Sequence, residues 1–280
     1  RQLQDDNFRG SREFTLDIID HFYAGDATNQ QITSSGRTRL ANQRLVSRVN
    51  YDYDKRYLLE ASFAYEGSSR FAPGHRWGFF PAFSAGWRIK EEAFLRDKIL
   101  FINDLKIRAS WGKMGDDSAS TFQFLTGFNY PSGNYIFGNN NVISGLAPRG
   151  MPNPAITWFE ATTTNIGLDI SIWESRLYLE VDVFRRVREN LLGTRTQQLP
   201  QTVGVGLPQE NLNSDQTQGI EILARYINVI GNLQYSISGN VSYARSKYLN
   251  QERLEDGNSY LNWRNNTNNR YADIYWGYTV

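Results

Sequence analysis

Apolar and polar residues alternate one by one along most of this chain. From Asn232 to Ser246, Leu233, Tyr235, Ile237, Val241 and Tyr243 fall on one side of the alternation, with Gly239 among them. Asn232, Gln234, Ser236, Ser238, Asn240 and Ser242 fall on the other. Successive side chains of a strand point to opposite faces, so this pattern makes a strand with one apolar and one polar face. Leu177, Leu179, Val181 and Val183 alternate in the same way with Tyr178, Glu180 and Asp182. Leu105, Ile107, Ala109 and Trp111 alternate with Lys106, Arg108 and Ser110. Further strands are expected near 12–22, 44–53, 57–66, 79–89, 161–172 and 218–229, with another starting near Tyr271. No stretch keeps a helical period. The best helical candidate is the short run Lys90 to Arg96.

The connections alternate in length. Asp54-Lys55, Glu174-Ser175 and Gly231-Asn232 are tight turns. Long connections are expected at 24–43, 67–78, 113–160, 188–217 and 247–270, with 90–104 as an intermediate case on the short side. Short turns at one end and long loops at the other are the layout of an outer-membrane β-barrel. Rings such as Tyr57 and Tyr65, bracketing Leu59, Ala61 and Phe63, suit the two lipid–water interfaces. A soluble antiparallel sandwich also gives apolar and polar faces and stays open as an alternative, a carbohydrate-binding module being its functional form.

Composition narrows the chemistry. The chain has 30 Lys+Arg against 29 Asp+Glu, so nothing in its net charge of +1 suggests nucleic acid as a partner. It has no cysteine and only His21 and His75, which disfavours thiolate chemistry and multi-histidine metal sites. No apolar run reaches the 18 or so residues of a membrane-crossing helix. The start at Arg1 lacks methionine and an apolar leader, so the chain reads as a mature or internal piece.

Arg48 through Leu59 make a strand–turn–strand unit, followed by Glu66-Gly67-Ser68-Ser69-Arg70-Phe71. Trp77 through Ile89, Glu91 through Leu95, and Leu105 through Gly112 come next. Asn153-Pro154-Ala155-Ile156-Thr157-Trp158, Thr164 through Asp169, Asp182-Val183-Phe184 and Gln218-Gly219-Ile220-Glu221-Ile222 continue the series. In this order, and most clearly over residues 44–112, these elements resemble the SusC/RagA family of TonB-dependent outer-membrane transporters of Bacteroidetes, which usually has Asp where this chain has Glu66. The resemblance implies an all-β, partial transmembrane antiparallel barrel over 1–280. This would supply about nine or ten strands of a barrel of about 22, with the plug and closing strands outside the chain. It also implies uptake of glycan or peptide fragments, a SusD-like surface lipoprotein as lid, TonB acting through the plug, and outer-membrane lipid around the wall.

No catalytic residues, metal ligands or cofactors are expected. A glycoside hydrolase with paired carboxylates is the enzymatic rival. Glu91-Glu92 reads as a solvated turn, His75 as a loop residue and His21 as a strand-end side chain. Gly204-Val205-Gly206 lacks the context of a dinucleotide site. Residues 118–148 contain no charge yet carry Phe122, Phe124, Phe128, Tyr130, Tyr135 and Phe137 among Asn, Ser and Gly. Residues 257–269 hold six asparagines with Tyr260 and Trp263. Ring faces and amides together suit a neutral polar ligand. Phe122, Phe124, Tyr130, Tyr135, Tyr260 and Trp263 are therefore the candidate substrate contacts. Arg48, Asp52, Glu60, Lys106, Arg108, Asp169, Glu180, Asp182, Glu221 and Arg225 fall on polar faces and are expected to line a lumen.

Overall fold

The computed structural model describes residues 2–12, 31–96, 98–130, 132, 134–138, 141–195 and 204–275. In chain order the strands are β1 (Gln2–Ser11), β2 (Gln31–Tyr53), β3 (Tyr57–Ser68), β4 (Trp77–Arg88) and β5 (Ile102–Asp116). Four short strands follow: β6 (Phe128–Asn129), β7 (Asn134–Phe137), β8 (Asn141–Ser144) and β9 (Ala147–Pro148). The long strands resume with β10 (Phe159–Ile172), β11 (Leu177–Thr194), β12 (Gln209–Ile230) and β13 (Leu233–Asn250). The helices are α1 (Ala93–Arg96) and α2 (Ser259–Asn265).

The long strands form one nine-stranded antiparallel meander in the order β1-β2-β3-β4-β5-β10-β11-β12-β13. Its hairpin turns follow from local chemistry. Asp54 and Lys55 both take positive φ, and the Asp52 carboxylate accepts the Lys55 amide at 2.8 Å. Gly231 alone carries positive φ in its two-residue turn, where a glycine-first hairpin turn requires it. The turn expected at Glu174-Ser175 is wider: Trp173, Glu174 and Ser175 all have positive φ, and the Arg176 amide closes onto the Trp173 carbonyl.

The cross-strand register keeps the expected faces. Asp52, Leu58, Gly86, Arg108, Gly167, Asp182, Glu221 and Ser242 are successive ladder partners across eight strands, so they share one face. The other face carries Tyr51, Leu59, Ala85, Ala109, Ile166, Val183, Ile220 and Tyr243 along the neighbouring row. This apolar face lies bare, with Val49, Ile237 and Val241 exposed at 64%, 66% and 70%. A sandwich needs a second sheet over such a face. Among the described residues the only other sheets are the two-stranded pairs β6–β9 and β7–β8. The sandwich alternative is thereby set aside in favour of a membrane-facing wall.

Rings stack across strands at both ends of this apolar band. Tyr53, Tyr57 and Trp87 form a row at the tight-turn end, and Tyr65 lies on Trp77 with centroids 4.8 Å apart at the other. Tyr57 and Tyr65 are eight residues apart on β3, or about 26 Å along the strand at ~3.3 Å per residue. With strands tilted about 35–45°, that span covers roughly 20 Å of height, most of the ~25 Å apolar belt of outer-membrane barrels.

Several boundaries differ from expectation. The strand expected at 12–22 falls almost wholly outside the described residues. The first strand seen is β1, which pairs with the first half of β2. Residues 31–43, expected as loop, are strand. So are 188–194 and 209–217, leaving a connection of 195–208. Their sequences are mostly polar and break the apolar–polar alternation. Beyond the hydrocarbon layer both faces meet water, so alternation is no longer imposed while the backbone ladder continues. The run 89–96 forms a 3₁₀ turn, Ile89–Glu91, followed by α1. Near Tyr271 the chain begins to pair with β13: Lys247 bridges Tyr271, and the Ala272 amide donates to the Ser246 carbonyl at 2.8 Å.

Candidate functional site

Two regions on the polar side have built structure: a charge knot at mid-height, and a collar with projecting loops at the long-loop end.

The knot centres on Arg108 of β5. Its Nε donates to Asp169 on β10 at 3.0 Å, and one terminal nitrogen donates to both Glu180 and Asp182 on β11 at 2.5 Å. Lys106 adds a 3.5 Å contact to Asp169, and Asn165 donates to Asp182 at 2.9 Å. To reach β11, the guanidinium must lie flat across β10. Gly167 makes that possible: a Cβ there would sit 2.6 Å from Arg108 Cζ and 2.8 Å from Asp182 Oδ1. The knot therefore ties three strands through one residue that has no side chain. Expected lumen residues Lys106, Arg108, Asp169, Glu180 and Asp182 come together here. Arg48 and Glu60 pair separately at 3.4 Å, and Glu221 stands beside Asp182 in the ladder. A cleft of about 530 Å³ between Asn50, Asp52, Glu60, Lys106 and Arg108 runs along this wall.

The collar is the one buried apolar cluster among the described residues. Phe71, Phe80, Ala119, Ile156 and Trp158 pack together, with Ala64, Phe159 and Leu192 against them. Trp158 meets Phe71 and Phe80 at centroid distances of 5.4 and 5.3 Å, and its Nε1 donates to the Arg76 carbonyl at 3.1 Å. Asp117 accepts from Ser68 at 2.7 Å and from Asn42 at 3.1 Å, while Arg70 donates to the Ala119 carbonyl. Asn211 of β12 exchanges bonds with both the amide and the carbonyl of Thr157. The stretches Glu66–Phe71 and Asn153–Trp158, singled out by resemblance alone, are thus the two halves of one lock. Sequence reasoning assigned them no role, because their partners are some 50 to 80 residues away and no local period links them.

From this collar rises an arm. The Asn153 amide bonds the Gln123 carbonyl, the Arg149 amide bonds the Gly127 carbonyl, and the Ser132 amide bonds the Gly145 carbonyl. The pair β6–β9 lies between the second and third of these rungs, and β7–β8 lies beyond the third. The uncharged segment is therefore a ladder-like arm. Of its candidate rings, Phe122 takes positive φ and tilts against Phe124 at 6.2 Å. Phe122 also lines a cleft of about 580 Å³ with Gln123, Arg149, Met151, Gly204 and Gly206. Tyr130 and Tyr135 stand exposed higher on the arm. Tyr260 and Trp263 share α2, 6.0 Å apart, on the separate 251–270 connection. The structure thus holds the six rings as two groups: four along the arm and two on α2. The His75 ring is exposed, and the residue's backbone serves the collar loop.

At the tight-turn end, Glu92 fastens the 89–96 turn. It accepts Tyr57 Oη at 2.6 Å and Trp87 Nε1 at 3.0 Å. These two hydrogen bonds, with Arg56 nearby, hold its carboxyl below the ordinary range. Glu92 is thus a structural fastener.

A single-layer sheet with a bare apolar face, ring girdles and a polar inner face defines the wall of an outer-membrane β-barrel. The profile of the family described as TonB dependent receptor-like, beta-barrel, matches residues 1–279, and the chain belongs to that family. It is similar to the TonB-dependent receptor P39 of Formosa agariphila, at 34% identity over 75% of this chain and 19% of the relative. Similarity to the TonB-dependent receptor SusC of Bacteroides thetaiotaomicron is 34%, over 64% of this chain and 17% of the relative. The chain spans about a fifth of the length of these curated relatives. Among solved structures, that of the RagAB peptide transporter superposes with a TM-score of 0.71 at 20% identity, covering 86% of this chain and 26% of that one. That likeness establishes the fold.

Proposed function

We propose that this chain is part of the barrel wall of an outer-membrane importer of oligomeric nutrients, glycan or peptide fragments, acting with a SusD-like surface lipoprotein. In this reading the nine strands are one sector of a larger plugged barrel, and TonB drives uptake through the plug. The chain itself performs no covalent chemistry. The observation carrying the proposal is the arm 123–153. An aromatic segment with Arg149 as its sole charge stands at the long-loop end of the wall, the outward side in this reading. Exposed rings and amides there suit stacking on sugars or on peptide planes.

The test uses the full-length receptor purified in detergent. Replacing Phe122, Tyr130 and Tyr135 by alanine is expected to weaken binding of its oligomeric cargo at least tenfold, with barrel migration on semi-native gels unchanged. Replacing Tyr260 and Trp263 separately asks whether α2 serves cargo or lid. Loss of co-purifying lipoprotein with cargo affinity intact assigns α2 to the lid. Unchanged cargo affinity in every ring variant refutes the arm as a contact surface.

A further inference from the structure

The cleft of about 580 Å³ at the foot of the arm opens between the arm's two limbs and residues 204–209 of the next long connection. Two bonds fasten these banks together. Gln123 Nε2 donates to Gln209 Oε1 at 3.0 Å, and Asn153 Nδ2 donates to the Gln209 carbonyl at 2.7 Å. The volume falls in the range of small-molecule sites.

One charge stands in this cleft. Arg149 is the sole charged residue from Ser118 to Phe159, and no other residue lining the cleft is ionisable. The Gly127 carbonyl accepts its amide at 3.0 Å, and its stem passes that glycine, where a Cβ would lie 3.8 Å from Cδ. Its guanidinium makes no hydrogen bond or ion pair among the described residues. The carboxylates next to the cleft walls in sequence are already engaged. Glu210 accepts from Arg195 at 3.0 and 3.1 Å, and Asp117 accepts from Ser68 and Asn42. An unanswered guanidinium in an otherwise neutral cleft attracts an anion, and its planar fork fits a carboxylate.

We propose that this cleft takes an acidic sugar residue of the cargo, its carboxylate on Arg149 and its ring face beside Phe122, so that the arm selects uronate-bearing glycan fragments. This rests on the arm being a cargo surface and narrows the cargo it meets. The walls favour a sugar over a peptide. An extended peptide binds by adding to a strand edge. Here Pro148, Pro152 and Pro208 interrupt the walls and have no amide to give. What the walls offer is scattered: the Ser120 hydroxyl, the Gln123 side chain, and the amides of Gly204 and Gly206, which nothing accepts among the described residues. Single donors and acceptors beside one ring suit the hydroxyls and the flat CH face of a pyranose.

The test is calorimetric titration of the full-length receptor in detergent with hexamers of galacturonate, mannuronate and glucuronate. Each is paired with the same hexamer reduced at its carboxyls to the neutral sugar. At least one acidic hexamer is expected to bind about fivefold tighter than its neutral counterpart, the upper end for a partly solvated ion pair. Arg149→Gln should bring that ratio below twofold. Arg185→Gln, a cation on the outer face of β11, is the control and should keep the wild-type ratio. Semi-native gel migration verifies that each barrel is folded. If Arg149→Gln fails to fold, the wild type alone is read at low and high salt, where the preference should shrink as an exposed ion pair is screened. Equal binding of acidic and neutral hexamers overturns the proposal while leaving the arm a cargo surface, which the Phe122, Tyr130 and Tyr135 variants test separately. A preference that survives Arg149→Gln or high salt overturns it too, as does absence of binding by every hexamer. Binding of a hexapeptide in their place, lost when its C-terminus is amidated, would assign Arg149 to peptide cargo instead.

Discussion

Gly167→Val sets two general rules against each other. By strand propensity alone, valine in place of glycine should stabilise β10, by up to about 1 kcal/mol. The charge knot predicts the opposite. The new Cβ would fall 2.6 Å from Arg108 Cζ, so the guanidinium has to lift away from the sheet. Its bonds to Glu180 and Asp182 are the first lost, because both acceptors are on the far side of β10. Stripping a partner from a buried charge costs about 3–5 kcal/mol. Side-chain exposures of 26% for Arg108 and 34% for Glu180 reduce that to about 3 kcal/mol. After the propensity gain, a net destabilisation of about 2 kcal/mol remains, roughly 30-fold in the folding equilibrium. The assay is urea unfolding of the full-length receptor in micelles, followed by loss of the compact gel band. A double-mutant cycle with Arg108→Met isolates the cause: in that background Gly167→Val should cost clearly less than in the wild type, since only the 2.8 Å approach to Asp182 Oδ1 remains. A Gly167→Val receptor as stable as the wild type, with Arg108 intact, refutes the flat-crossing account of the knot.

Other positions give sharper contrasts. Leu179→Arg puts a cation on the lipid face, at a cost of about 2–4 kcal/mol near the midplane, and should lower the yield of assembled barrel. Asp182→Ala is an unequal comparison, because Asp182 is bound to Arg108 and Asn165. Glu221→Ala on the same inner face is the fair control and should assemble normally in the same membrane-fraction assay. Trp158→Ala removes the centre of the collar, a loss of about 3–5 kcal/mol. Protease should then cut within 117–158 while the heat-modifiable barrel band persists. Glu92 has a depressed carboxyl pKa, so its contribution is present above the ordinary carboxylate value of 4.5 and is lost as pH falls through the lower folded value. Trp87 fluorescence should report loosening of the 89–96 turn below about pH 4.5, and Glu92→Gln should remove that acid step.

Inside the membrane layer the fold was legible because lipid imposes a rule on every second residue. Leu177 to Val183 and Leu233 to Tyr243 could be read directly, and the ladder places them as read. Outside the layer the rule lapses. Gln2–Ser11 has only Leu3 and Phe8 as large apolar residues, yet it forms β1 through backbone pairing with the first half of β2. The knot was half legible: its charges were placed on the right face, but nothing local announces that Gly167 is the floor under Arg108. The collar was visible only as two stretches that resembled a family. Trp158 and Phe71 are 87 positions apart, and no periodicity spans that distance.

The collar has one more consequence. It clamps both feet of a long excursion, Asp117–Ala119 on one side and Asn153–Trp158 on the other, so the residues between them behave as an interchangeable cassette. Once the feet are fixed, lengthening the cassette costs little: doubling a flexible loop adds only about 0.6 kcal/mol of closure entropy. A lineage could therefore retailor this outward-reaching surface, ring by ring or by wholesale replacement, while the wall below folds as before. Variation should collect between Phe124 and Pro152 and stop abruptly at the clamps.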